Sequence, residues 1–206
     1  MEKFVVHRGI AVPLIRINID TDAIIPSREM KRVSKTGLAD GLFAGWRYLQ
    51  QDSRTPNPTF VLNQAAFANA SILLAGANFG CGSSREHAVW ALKEYGFRVF
   101  IAPSFGAIFQ INCVRNGLLP IEMEETSIAR IAESIAPDPQ HCQLTIDLTR
   151  QVVGLPDGQE FTFEIAALEK QMLIEGLDPI AATLKLEGGI DAFQQRDAQC
   201  RPWVYL

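Results

Sequence analysis

The chain has 206 residues, of which 48% are hydrophobic, and a formal net charge of −4. That suffices for one well-formed core, and fifteen glycines with eleven prolines indicate many turns without disorder. The acidic balance argues against nucleic acid as a partner, and no apolar run approaches the roughly 20 residues of a membrane span.

The first residues lack the charged start, apolar stretch and small-residue cleavage site of a secretory signal, so a cytoplasmic protein is expected. Residues 9–17 read as a short strand broken by Pro13. Asp20 and Asp22 follow, two residues apart in Asn-Ile-Asp-Thr-Asp-Ala-Ile-Ile-Pro. On an extended segment their carboxylates point the same way, which suits either a metal ion or an arginine. No glycine-centred calcium loop follows, so an arginine partner is expected and no metal is assigned.

Residues 27–45 are charged and punctuated by glycine, which predicts a mobile loop with at most short helices. Its cations Arg28, Lys31, Arg32 and Lys35 form a solvated surface or face an anionic ligand. Residues 51–58 predict a second polar loop, and Asn63 is a possible helix cap.

Residues 72–75 predict a buried strand. It leads into Asn-Phe-Gly-Cys-Gly-Ser-Ser-Arg-Glu-His-Ala, residues 78–88, and then a helix with Val89 and Leu92 on one face. A strand, a turn holding Gly80 and Gly82, and a helix together present Ser83, Ser84 and Arg85 beside unpaired helix-start N–H groups. That is a carboxylate or oxyanion site in outline. Ser83 with Glu86 also satisfies the Ser-x-x-Glu capping box, which needs no function. The stretch is not a dinucleotide fingerprint, because Arg85 stands where the third glycine belongs, and it is not Gly-x-Ser-x-Gly. His87, read as one turn into the helix, is taken as structural.

Gly96 stops that helix, and residues 97–102 predict a second buried strand. Ser104 is expected to cap a helix through Asn116, with Ile108, Ile111 and Val114 on its apolar face. Residues 118–121 begin another strand, and the β-α-β-α-β order predicts a parallel sheet with right-handed crossovers. Residues 127–136 predict a further helix. The alternating segments 143–148 and 161–165 predict strands around the Pro-Asp-Gly turn at 156–158. From residue 167 onward a helical tail is expected, broken at Gly176, at Asp178-Pro179 and at Gly188-Gly189.

Cys81, Cys113, Cys142 and Cys200 are spread too far apart for a Cys-x-x-Cys pair. Cys113 and Cys142 are expected in the core, and Cys81 alone lies near the candidate site.

Segments 18–26, 78–88 and 101–120 together resemble the small subunit of 3-isopropylmalate dehydratase, related to the swivelling fourth domain of aconitase. The resemblance extends to Trp46-Arg47-Tyr48 and to Arg201-Pro202-Trp203 near the end of the chain. It implies an α/β fold, a swivelling β/β/α domain spanning residues 1–206, with 167–206 as a mainly helical C-terminal extension. It also implies interconversion of 2-isopropylmalate and 3-isopropylmalate in leucine biosynthesis, by loss and re-addition of water, jointly with a large subunit.

The [4Fe-4S] cluster of such an enzyme is expected in that partner, with none bound by this chain. By the same resemblance Ser83 is the base acting on the substrate's carbon proton. Ser84 and Arg85 contact a substrate carboxylate, and Asp22 lines the site. Neither Arg28 nor Arg32 matches a motif clearly enough to be assigned. Two rival readings share these motifs: a homoaconitase or citramalate-type isomerase small subunit, and a non-catalytic anion-binding module. Met30 and Val33 in the loop 27–37 are the candidates for reading the substrate's third substituent.

Overall fold

A computed structural model describes residues 1–30, 36–50, 53–82 and 85–205. Two short strands, Val6–Gly9 (β1) and Ala11–Leu14 (β2), open the chain and belong to different sheets. The break expected at Pro13 therefore falls at Ile10 instead. Pro13 sits inside β2 without harm, because β2 is an edge strand with a free side for a residue that lacks an N–H.

After a four-residue helix, Thr21–Ile24 (α1), and another, Ala44–Arg47 (α2), comes the buried strand Ile72–Ala75 (β3). The helix His87–Tyr95 (α3), strand Val99–Ala102 (β4), helix Ala107–Arg115 (α4) and strand Leu119–Glu122 (β5) complete one half. Strands β2, β3, β4 and β5 lie side by side in that order, all parallel. Each strand is buried on both faces, which is why the runs are continuously apolar rather than alternating.

The two faces bury different sets. Leu73, Ala75, Phe100 and Ala102 pack with Val89 and Leu92 of α3 and Phe109 and Cys113 of α4. Ile72, Leu74, Val99 and Ile101 point the other way. They meet the helix Glu125–Ile135 (α5), through Ile128, Ile131 and Ile135, and a second sheet. That sheet is antiparallel, with β1, Leu144–Asp147 (β6), Val152–Gly154 (β7) and Glu160–Thr162 (β8) in this order. Sheet, sheet and helices give three layers. The Pro156-Asp157-Gly158 turn closes the β7–β8 hairpin, with Gly158 at φ +89.

Several local expectations are corrected. Strand β7 intervenes between the two alternating segments and pairs with both. Asn63 caps no helix; its amide donates to the Arg47 and Asn57 carbonyls and ties two loops together. Ile108 and Ile111 are 51% and 45% exposed, and α4 is seated by Phe109, Cys113 and Val114 instead.

Three helices follow: Ala167–Glu175 (α6), Pro179–Leu184 (α7) and Glu187–Cys200 (α8). Gly176 ends α6 in the left-handed conformation, and Asp178 caps α7 with Pro179 at its first position. Gly188-Gly189 does not break the tail; both glycines lie within α8. No helix among the described residues is long and apolar enough to cross a membrane.

Candidate active site

Three segments leave the parallel sheet at the C-terminal ends of β2, β3 and β4 and continue side by side. Asn18 N–H donates to the Ala77 carbonyl at 2.9 Å, and Gly80 N–H to Ile19 at 2.7 Å. Asp20 and Cys81 then form a parallel bridge, and Thr21 N–H donates to Cys81 at 3.0 Å. On the other side Phe79 pairs with Phe105, and Gly106 N–H donates to the Phe79 carbonyl at 2.9 Å. The carboxyl edge of an open parallel sheet is where such folds place ligands.

Polar side chains fix this crossing. Asn18 and Asn78 adopt left-handed φ values of 55 and 60, which asparagine tolerates better than most residues. Their side chains bond to each other at 2.8 Å. Ser104 does not cap α4, whose N-cap is Gly106; its hydroxyl instead accepts the Asn78 N–H at 2.9 Å. Gly80 has φ +73, and a Cβ there would lie 2.2 Å from the Phe109 ring. Only glycine fits that position.

Asp20 and Asp22 do not share an extended face. Asp20 is the N-cap of α1, accepting the Ala23 N–H at 2.6 Å, and Asp22 lies in the first turn of that helix. Cap and helix turn the two carboxylates apart in role. The predicted arginine partner is present: Asp22 Oδ1 accepts from Arg85 Nη1 at 2.9 Å. Arg85 is 40% exposed and Asp22 58%. Among the described residues this is the only bond of the Arg85 side chain, so its Nε–Nη2 edge stays open to a second carboxylate.

Ser83 and Ser84 lie outside the described residues, as do Arg32 and Val33. Their flanks bear on the capping reading. Helix α3 begins at His87 with Glu86 as N-cap, so Glu86 is not at the third helical position that a box starting at Ser83 requires. The Glu86 carboxylate accepts from Asn116 at 2.7 Å. His87 is thus the first helical residue rather than one turn in, with its ring 4.8 Å from Trp90.

Cys81 is half-buried, and burial together with the Asp20 charge pushes its thiol up, so it stays protonated at neutral pH. Cys113 is fully buried as expected and Cys142 partly so, beside the second core. Met30 packs partly buried against the first core.

One anchoring residue, at the other end of α3 from Arg85, is unmarked in the sequence. Glu94, near the end of α3, accepts three backbone N–H bonds, from Gly37, Leu38 and Ala39, at 2.6, 2.5 and 2.9 Å. Burial alone would raise this carboxyl, but the three donors outweigh it and hold it below the ordinary glutamate value. A lone glutamate on a helix face gives no sequence signal for such a role.

Residues 1–126 match the family described as Aconitase C-terminal domain, and residues 135–167 match LeuD_N. The tail from residue 168 lies beyond both matches. The chain is 60% identical over 206 residues to a 3-isopropylmalate dehydratase small subunit from Cupriavidus necator, covering 100% of this chain and 99% of that one. A small subunit of the same name from Polaromonas sp. is 50% identical over 211 residues, covering 99% and 97%. Among solved structures, 3-isopropylmalate dehydratase (leuD) from Methanocaldococcus jannaschii superposes with a TM-score of 0.62 at 27% identity, covering 92% of this chain and 99% of that chain. With likeness at this level along its whole length, the chain belongs to the family of 3-isopropylmalate dehydratase small subunits.

Proposed function

We propose that this chain is the substrate-holding half of a hydro-lyase that interconverts 2-isopropylmalate and 3-isopropylmalate in leucine biosynthesis. The full-length likeness to named small subunits carries the reading. The open guanidinium edge of Arg85 is the geometry that supports it.

The reaction removes a proton from one carbon and a hydroxyl from its neighbour, leaving an unsaturated diacid, and returns water the other way round. Arg85 clamps one substrate carboxylate through two parallel N–H bonds, while Asp22 holds the guanidinium from its far side. An exposed Asp–Arg pair is worth about 1 kcal/mol or less, so Asp22 orients Arg85 without competing strongly with the substrate. Ser84 adds a hydroxyl contact, and Ser83 takes the carbon proton. A serine alkoxide is costly in water, and the positive charge of Arg85, two residues further along the chain, lowers that cost.

The [4Fe-4S] cluster belongs to the large subunit in this reading. The four cysteines of this chain sit in separate places: Cys81 at the bridge to Asp20, Cys113 sealed in the first core, Cys142 against the second core and Cys200 at the exposed end of α8. No group of His, Cys, Asp or Glu among the described residues gathers in a metal-binding arrangement.

The test is reconstitution. Mixed with a cluster-loaded large subunit, the chain should convert 2-isopropylmalate to 3-isopropylmalate, with neither chain active alone. A preference for homoaconitate or citramalate in the same assay would favour the related isomerases. Loss of all turnover with every such diacid would leave only anion binding.

A further inference from the structure

We infer that Glu86 and Asn116 are positioning residues for Arg85. The bond between them fixes the point at which the chain leaves Arg85 and enters α3, and with it the aim of the guanidinium. This role rests on the reading above, in which Arg85 grips a substrate carboxylate.

Arg85 is exposed, and among the described residues its side chain makes one bond, to Asp22 at 2.9 Å. A clamp works only when held to within about 0.5 Å of its productive place. With a single bond at its tip, Arg85 depends on the backbone beneath it. Upstream, that backbone is pinned where Cys81 pairs with Asp20 and its carbonyl accepts the Thr21 N–H. Downstream, the pinned residue is Glu86. It is the N-cap of α3, yet its side chain makes no capping bond. The carboxylate is used elsewhere: Oε1 accepts from Asn116 Nδ2 at 2.7 Å, in a half-buried place.

Asn116 is a firm post for that bond. It is the C-cap of α4, and its N–H donates to the Asn112 and Cys113 carbonyls. Its Nδ2 donates a second time, to the Asn112 carbonyl at 2.8 Å, and its own carbonyl accepts from Lys93 Nζ at 2.7 Å. Both hydrogens of the side-chain amide are therefore committed, and turning it would break two bonds.

The bond is not needed to hold the helices together. α3 and α4 already share the first core through Val89, Leu92, Phe109 and Cys113, and Lys93 ties α3 to the same asparagine. What the bond adds is a fixed place for residue 86, and one peptide link carries that place to Arg85. The role asks for an acceptor oxygen at position 86, not for a charge.

The experiment measures kcat and KM for 2-isopropylmalate in the assembled two-chain enzyme, with the melting temperature of each lone chain. Glu86→Ala should lower kcat/KM by about tenfold or more, chiefly by raising KM, because the clamp holds substrate and transition state alike. Asn116→Ala should do the same from the α4 side, and it carries the test if Glu86→Ala does not fold. Glu86→Gln, whose amide oxygen still accepts from Asn116, should recover most of the loss. In an Arg85→Lys background, Glu86→Ala should cost less than about twofold further, because the group it aims is already gone. A purely structural bond would lower the melting temperature and leave KM alone. Values of kcat/KM within about twofold of wild type in both alanine variants overturn the inference. So does a Glu86→Gln variant as impaired as Glu86→Ala, or an undiminished loss in the Arg85→Lys background. These results leave the functional reading standing as long as the wild-type pair turns over; a wild-type pair inactive on every such diacid removes that reading and this inference with it.

Discussion

At the scale of single residues the account turns on Arg85 and its neighbours. Among the described residues Asp22 alone bonds the guanidinium, through one nitrogen. In the proposed reaction Ser83 takes the proton, and Ser83→Ala in the assembled enzyme should then lower kcat by about 10²–10⁴ with KM little changed. A serine with only a local structural role ahead of Glu86, the N-cap of α3, would instead lower stability and leave the rate near normal. Measuring kcat and melting temperature on the one variant separates the two. That an arginine would meet Asp22 was legible because no glycine-centred calcium loop follows it; which arginine, 63 residues on, was shown only by the fold. The role of Ser104 was not. A serine before an apolar run reads as a cap, and only tertiary contact shows its hydroxyl turned to Asn78.

At the scale of elements, Glu94 ties α3 to residues 37–39. Its carboxyl titrates lower in the folded chain than in the unfolded one. In that window the unfolded state binds more protons, so the contribution is fully present above the ordinary glutamate value and lost as pH falls through the folded one. Glu94→Gln cannot accept all three bonds. The variant should melt below wild type near neutral pH, and the gap should close as the pH drops into the acidic range. Thermal melts of both proteins across pH check this, and a gap that stays constant would mean the carboxylate charge is not what holds the segment. The parallel sheet was readable because four-residue apolar runs between helical patterns have few other solutions. The antiparallel sheet was read only in part. Strand β7 is three residues, Val152-Val153-Gly154, too short to show a period, and β1 is recognised only by its pairing with β6. Gly188-Gly189 looked like a break because glycine is a poor helix former, yet α8 includes both at its first turn, where the penalty is least.

At the scale of the molecule, two cores on opposite faces of one parallel sheet hold a single edge steady. Everything specific about that edge converges on presenting one guanidinium: crossed asparagines, a glycine beneath Phe109 that leaves no room for a side chain, and an aspartate on α1. The most direct test is kcat/KM for 2-isopropylmalate with Arg85→Lys in the assembled two-chain enzyme. Lysine keeps the charge but loses the fork that grips a carboxylate at two points. The account predicts a fall of about 100-fold or more with assembly unchanged. A kcat/KM within about twofold of wild type would contradict it, because the clamp would then lie elsewhere.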